Sequence, residues 1–257
     1  MTSKQNDQYA NIGDKYSDFK DTAPLGGPET NTVFKLLGEL KGAKVLDLAC
    51  GHGHYTRLIK QAGAQEVVGS DLSPVMIDLA KEAEAEQPLG ITYHVGDASD
   101  LPTLGSFDVV SAVWLLNYAT TKDELTAMLR GVHRNLAPGG RFVTVTVSPE
   151  FDPHGPELDA YGIQVVKDTP YEDRSAVTMD LLGANQTATI TTSRWTAAAY
   201  AECLEAAGFA SYDWRAPEIP EEYVQRFGDA FWNNYRSNPN TGFLVATRTA
   251  DLEPGAE

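Results

Sequence analysis

Asp47, Gly51, Gly53 and Asp71 are the residues whose types and spacing point to chemistry. The glycines stand in Cys50-Gly51-His52-Gly53, directly after the apolar run Val45, Leu46, Leu48. Two glycines so placed let a backbone turn sharply and approach a ligand with no Cβ in the way. Asp71 follows Gly51 by twenty residues, at the end of EVVGSD. A carboxylate at that distance is placed to accept hydrogen bonds from both hydroxyls of an adenosine ribose. The alternative is a tight strand–helix turn followed by a surface aspartate.

Thr56 decides which adenosine compound the turn suits. A dinucleotide fingerprint has a third glycine there, so that helix and strand close around a pyrophosphate. Asp47, just ahead of the glycines, would repel a pyrophosphate and attract a cation. S-adenosylmethionine carries a sulfonium and an ammonium against one carboxylate, and no phosphate, so the turn suits it better than NAD. An NAD-dependent oxidoreductase and a non-catalytic S-adenosylmethionine-binding protein stay as the rival readings.

These residues need elements to hold them. Val45–Leu48 reads as a strand buried on both faces. Tyr55, Leu58, Ile59 and Ala62 fall on one helix face, and Gly63 stops that helix. A second strand ends at Asp71. Ser73 and Pro74 then open a helix expected to bury Leu72, Val75, Met76, Leu79 and Ala83. Leu72 and Met76 are placed to sandwich an adenine, with core packing as the alternative. A third strand, ITYHVGDAS, ends at Gly96-Asp97-Ala98, where Asp97 either accepts the adenine amino group or is a plain turn residue.

SFDVVSAVWLLNYAT gives a fourth strand whose carboxyl end carries Val113, Trp114, Asn117 and Tyr118. Ligands of open α/β sheets sit at the carboxyl ends of strands, so these residues border the expected reaction centre. Thr121-Lys122-Asp123-Glu124 is a capping box opening a helix that buries Leu125, Met128, Leu129, Val132 and Leu136. RFVTVTVS is the fifth strand. Strands alternating with helices at this spacing mean an α/β protein with a doubly wound sheet.

From Pro149 to Trp195 the rhythm breaks into a Pro-rich loop and an antiparallel ribbon around Gly183-Ala184-Asn185. An insertion there lies over the carboxyl edge of the sheet and is the natural place for substrate recognition. Its His154, Tyr161, Tyr171 and Trp195 are polar-tipped aromatics. TAAAYAECLEAAGF is a helix, ASYDWRAP and TGFLVATRT are strands, and the aromatic stretch between those strands is helix-face packing that also closes one side of a pocket. The reading divides the chain into a segment 1–30, a domain 31–250 containing the insertion 149–195, and a disordered tail 251–257. Tyr9, Tyr16 and Phe19 make the first segment either a frayed terminus or a lid.

The chain has 257 residues, 42% apolar, enough for one α/β domain with an insertion. A net charge of −16 repels a phosphate backbone, so nucleic acid is not an expected partner. No apolar run is long enough to cross a membrane. Two cysteines far apart suggest no disulfide framework and a reducing, cytoplasmic setting. His52 and His54 lack a third ligand nearby, so no metal is expected. A small-molecule substrate and a monomer or homodimer are the remaining expectations.

VLDLACGHG, GSDLSPVMIDLA, VGDASDLP, FDVVSAVWLLNY and LAPGGRFV, in that order, resemble the core of class I S-adenosylmethionine-dependent methyltransferases over residues 33–148. The resemblance implies a Rossmann-like seven-stranded sheet, its last strand antiparallel, with helices on both faces and here an antiparallel insertion after strand five. It implies that Asp47, Ala49, Gly51 and Gly53 shape the methionine end of the cofactor site. Asp71 would hold the ribose, Leu72 and Met76 the adenine faces, and Asp97 with Ala98 the adenine edge. The backbone at Val113 and Trp114 would face the methionine moiety, and Tyr9 and Tyr16 would form a lid.

More loosely, the chain is similar to small-molecule methyltransferases of natural-product pathways, the toxoflavin-synthase-like N-methyltransferases and indole C-methyltransferases. That implies a nitrogen-heteroaromatic or indole-type acceptor, methylated on nitrogen or carbon. Trp114-Leu115-Leu116-Asn117-Tyr118 stands where amino-directed nucleic-acid methyltransferases carry Asn-Pro-Pro-Tyr. If the acceptor atom must lose a proton, His154, Tyr118 or Tyr161 is the base, with Tyr9, Trp114, Asn117 and Trp195 on the substrate side.

Overall fold

Alternation decides the layers of this molecule, because successive strand residues point to opposite faces of a sheet. The computed structural model describes residues 13–250. Its elements run α1 (Gly13–Thr22), α2 (Gly26–Leu37), β1 (Lys44–Leu48), α3 (His54–Gln61), β2 (Glu66–Asp71), α4 (Pro74–Glu86), β3 (Thr92–Val95), β4 (Phe107–Val113), α5 (Lys122–Asn135) and β5 (Leu136–Val147). Then follow β6 (Ile163–Pro170), β7 (Arg174–Leu182), β8 (Thr187–Trp195), α6 (Ala197–Ala206), β9 (Ser211–Arg215), α7 (Glu221–Phe227), α8 (Asn233–Ser237) and β10 (Thr241–Thr247).

Seven strands form one sheet in the order β3-β2-β1-β4-β5-β10-β9. β1 to β5 run parallel, and β10 is antiparallel to both its neighbours. Leu46, Val110 and Phe142 point to the face covered by α5 and α6, packing with Leu125, Leu129, Tyr200 and Leu204. Val45, Val109 and Val143 point to the other face, against Val33 and Leu37 of α2, Ile59 of α3 and Ile77 of α4. The strand order reverses between β1 and β4, so their carboxyl ends open the crevice where such folds hold ligands. Among the described residues no helix is long and apolar enough to cross a membrane.

Thr121 caps α5 by accepting the Glu124 N–H at 3.2 Å, while the Glu124 carboxylate accepts the N–H and hydroxyl of Thr120. This is the expected capping box, displaced by one residue on its return bond.

Three expectations need correction. The insertion holds three strands rather than a two-stranded ribbon, in the order β6-β7-β8. A register shift between Val165 and Lys167 breaks the alternation of β6, which hides it from a periodicity reading. α4 buries Ile77 and Ala80, and leaves Leu72, Val75 and Leu79 exposed. The four-residue edge strand β3 lies at the rim beside it, so only a narrow stripe of that helix has a surface to cover. The helix read from Val33 onward begins instead at Gly26. Tyr9 and the tail 251–257 lie outside the described residues.

Candidate active site

β1 delivers the chain into a turn of left-handed residues, Ala49 (φ 53°), Gly51 (φ 54°) and Gly53 (φ 89°). A Cβ on Gly53 would stand 2.5 Å from the Tyr93 hydroxyl, so both conformation and space demand glycine. Asp71, at the end of β2, accepts the Gly51 N–H through Oδ2 and the Ser73 N–H through Oδ1, each at 2.9 Å. One carboxylate therefore pins the glycine turn to the start of α4 and keeps lone pairs for the cleft it lines.

The structure explains Thr56. Its hydroxyl donates to Asp47 Oδ2 at 2.7 Å, and both residues are buried. Burial raises the Asp47 carboxyl to about 6, the Thr56 hydrogen bond opposes the shift and the nearby Asp71 charge adds to it. Burial also raises Asp71, against the backbone N–H groups that bond it. Two carboxylates held reluctantly as anions side by side favour a cationic ligand.

Three cavities meet here. Asp71, Leu72, Met76, Asp97 and Ala98 line the first, about 1010 Å³ including its open mouth. Asp47, Ala49, His52 and Gly51 line the second, which α7 covers with Tyr223, Arg226 and Phe227. Phe19, Leu25, Met179, Leu181 and Ile190 line the third, beneath the inner face of the insertion sheet. Trp114 borders all three, Val113 the first two, and Tyr118 the first and third.

Trp114 has φ 61°, a strained conformation for a bulky residue. Its N–H donates to the Val145 carbonyl at 2.8 Å, and its indole Nε1 donates to Glu29 Oε2 at 2.9 Å. Glu29, 5% exposed, also accepts from Lys20 at 2.5 Å and from the Tyr55 hydroxyl at 2.9 Å. Burial disfavours the Lys20 charge, but Glu29 outweighs it and holds the ammonium above its usual range. Burial, with the Glu29 charge adding to it, pushes the Tyr55 phenol well up. Sequence reasoning missed Glu29. Its signal was faint, a lone acid ahead of the apolar residues of α2, and its indole partner lies 85 positions away.

Several expected site residues stand elsewhere. The His154 side chain is 77% exposed, lies 3.7 Å from Asp168 and borders none of the three cavities. Tyr161 is 1% exposed; its hydroxyl donates to the Phe231 carbonyl and accepts the Tyr235 N–H, so its polar tip ties the core together. Trp195 packs in the core with Leu129 and Tyr200. Asn117 is fully buried outside these cavities, its side-chain amide without a partner among the described residues. Tyr171 is exposed beneath the Arg174 guanidinium. Tyr16 falls on α1, its side chain outside the described part. Gly53 shapes the turn without lining a cavity. His52 and His54 line the second cavity; among the described residues no three metal-binding side chains cluster.

Residues 45–140 match the family model described as a methyltransferase domain. Over 120 residues the chain is 39% identical to the demethylmenaquinone methyltransferase of Lactococcus lactis subsp. lactis, covering 45% of this chain and 46% of that protein. Over 127 residues it is 43% identical to an uncharacterized methyltransferase of Synechocystis sp., covering 48% of this chain and 57% of the relative. The match thus spans about half the length of these curated relatives. A solved S-adenosylmethionine-dependent methyltransferase from Mesorhizobium loti shares the fold with a TM-score of 0.63 at 23% identity, over 89% of this chain and 99% of that one. The chain therefore shares the fold of that solved methyltransferase, and its segment 45–140 is similar to a methyltransferase domain. The donor set fits S-adenosylmethionine: a buried Asp47 beside a half-buried Asp71, apolar walls beside Asp97, and a glycine turn free of lysine and arginine, with Lys20 and Arg226 elsewhere on the second cavity and Lys20 paired with Glu29.

Proposed function

We propose that this methyltransferase domain moves a methyl group from S-adenosylmethionine to a small molecule, a nitrogen heteroaromatic or indole-type acceptor methylated on nitrogen or carbon. One observation carries the reading. The matched segment 45–140 sends Asp47, Gly51, Asp71, Met76 and Asp97 into adjoining clefts that meet an apolar cavity at Trp114. A demethylmenaquinone methyltransferase among the relatives supports a small ring compound as acceptor.

When bound, the cofactor supplies an electrophilic methyl group on a sulfonium. The chain's own residues bind, orient and exclude water, and orientation contributes up to roughly 7–11 kcal/mol in the best intramolecular models. In this reading Asp71 accepts from the ribose hydroxyls, Leu72 and Met76 flank the adenine, Asp97 accepts its amino group and Asp47 faces the cation. Charge is spent as the methyl moves, so the apolar walls contributed by Phe19, Met179 and Ile190 favour the step. Where the acceptor atom carries a proton, Tyr118 is the base with access to both clefts. Phe19 and Lys20 of α1 and Glu29 of α2 form part of the acceptor wall, which supports a lid role for the segment 1–30 over the domain 31–250.

Calorimetric titration with S-adenosylhomocysteine and, in parallel, NAD tests the cofactor. Micromolar binding of the first alone is expected. Binding of NAD, or of neither compound, overturns the reading.

Asp47 gives that affinity a pH dependence. Only its carboxylate attracts the cofactor's ammonium, and its carboxyl titrates at about 6. Binding is therefore steady at higher pH and weakens on acidification through that value, towards about tenfold per pH unit, because a proton must be released. Asp47→Asn is expected to bind weakly and to flatten the profile. A steep fall that persists in the variant would assign the titration to another group.

A further inference from the structure

The cavity beneath the insertion is apolar except at points its packing does not require. β7 and β8 turn Met179, Leu181 and Ile190 inward, and Thr192 takes the inward place opposite Val177. Thr192 is 3% exposed, and its hydroxyl has no hydrogen-bond partner among the described residues. Asn240, just before β10, is also 3% exposed, and its Oδ1 likewise has none. Both residues line the cavity.

A buried polar atom left unpaired is costly, and valine or leucine would fill these places without that cost. Two such atoms in the wall of one apolar cavity are offset when a ligand bonds them. Asn240 Oδ1 can only accept, so the ligand must donate there. A hydroxyl accepts or donates, so Thr192 adds a second bond of either sense. Lys20 and Glu29, on the same wall, already pair with each other and leave no net charge to meet an ionic group.

We propose that Asn240 and Thr192 set acceptor specificity. The acceptor is an uncharged ring compound with an N–H or O–H donor, its apolar body lying against Met179 and Ile190 and its donor directed to Asn240 Oδ1. This rests on the methyl-transfer reading for calling the cavity an acceptor site, yet the binding test needs no turnover.

Calorimetry with indole and with benzothiophene, which has the same shape but no N–H, compares the two compounds on the full chain saturated with S-adenosylhomocysteine. Indole is expected to bind about tenfold or more tightly than benzothiophene, the worth of one well-made hydrogen bond. Asn240→Leu narrows that gap by weakening indole alone; Thr192→Val leaves it, because indole has one N–H, but weakens 5-hydroxyindole, which carries a second donor. Where Asn240→Leu fails to fold, Asn240→Ala, which also removes the acceptor, decides. Equal binding of the two compounds, a gap unchanged in the folded Asn240 variant, or no binding of either at about millimolar concentration overturns the proposal. Failure of the methyl-transfer reading appears separately, as failure of S-adenosylhomocysteine to bind. In that case indole against benzothiophene on the free chain still decides the recognition.

Discussion

Glu29→Ala is expected to lower the melting temperature by roughly 6–12 °C, from a loss of about 3 kcal/mol spread over a chain of this size. The carboxylate is buried and accepts from Lys20, Tyr55 and Trp114. Its removal strands a partly buried ammonium, whose side chain is 22% exposed, and an indole N–H, and leaves the buried Tyr55 phenol with Thr30. Removing one partner of a buried pair costs about 3–5 kcal/mol, and the partial exposure of Lys20 argues for the lower end. Glu29→Gln keeps an acceptor but not the charge, and should fall between the two. The double variant Lys20→Met, Glu29→Leu should recover much of the loss, because no charge is then left unpaired. Thermal melts followed by circular dichroism decide the matter. A melting temperature unchanged in Glu29→Ala would show that the network holds nothing together.

This network also marks the limit of what the sequence discloses. The glycine turn was legible because its determinants sit close together. An apolar run buried on both faces, Gly51, Gly53 and an amphipathic helix all fall within residues 45–61, and Asp71 follows at a spacing fixed by the length of one helix. Thr56 was legible as a departure, but its partner Asp47 emerged only when α3 packed over β1.

Glu29 was illegible because its contacts join α1, α2, α3 and the end of β4, and no local period records them. Tyr161 and Trp195 misled for a related reason. A polar-tipped aromatic looks the same in a sequence whether its tip meets a ligand or the backbone, and Tyr161 meets the Phe231 carbonyl. His154 looked reactive by type alone, while the loop carrying it leaves the ring in solvent. In α4 the periodicity points Val75 and Leu79 to a core that the sheet rim is too narrow to supply, while Leu72 and Met76, read as adenine or core residues, border the cleft.

Asp71→Ala should weaken S-adenosylhomocysteine binding by on the order of 100-fold, about 3 kcal/mol. Two losses add. The ribose hydroxyls lose a charged acceptor, and hydrogen bonds to charged groups contribute about 1.5–3 kcal/mol. The Gly51 and Ser73 N–H groups also lose the carboxylate that fixes the turn and the start of α4, so the ligand must order a looser turn as it binds. Asp71→Asn separates the two contributions. One amide oxygen can still accept from Gly51 or from a hydroxyl, though not from every donor and without charge, so its loss should be the smaller. The neighbouring carboxyl reports independently. The Asp71 charge is one of the causes that raise Asp47, so the acid limb of the binding profile should move to lower pH in Asp71→Asn. Calorimetry across pH reads both effects at once. Full affinity in Asp71→Ala would remove the ribose from this end of β2, whereas a weakened complex with an unmoved acid limb would leave the ribose contact standing and break its coupling to Asp47.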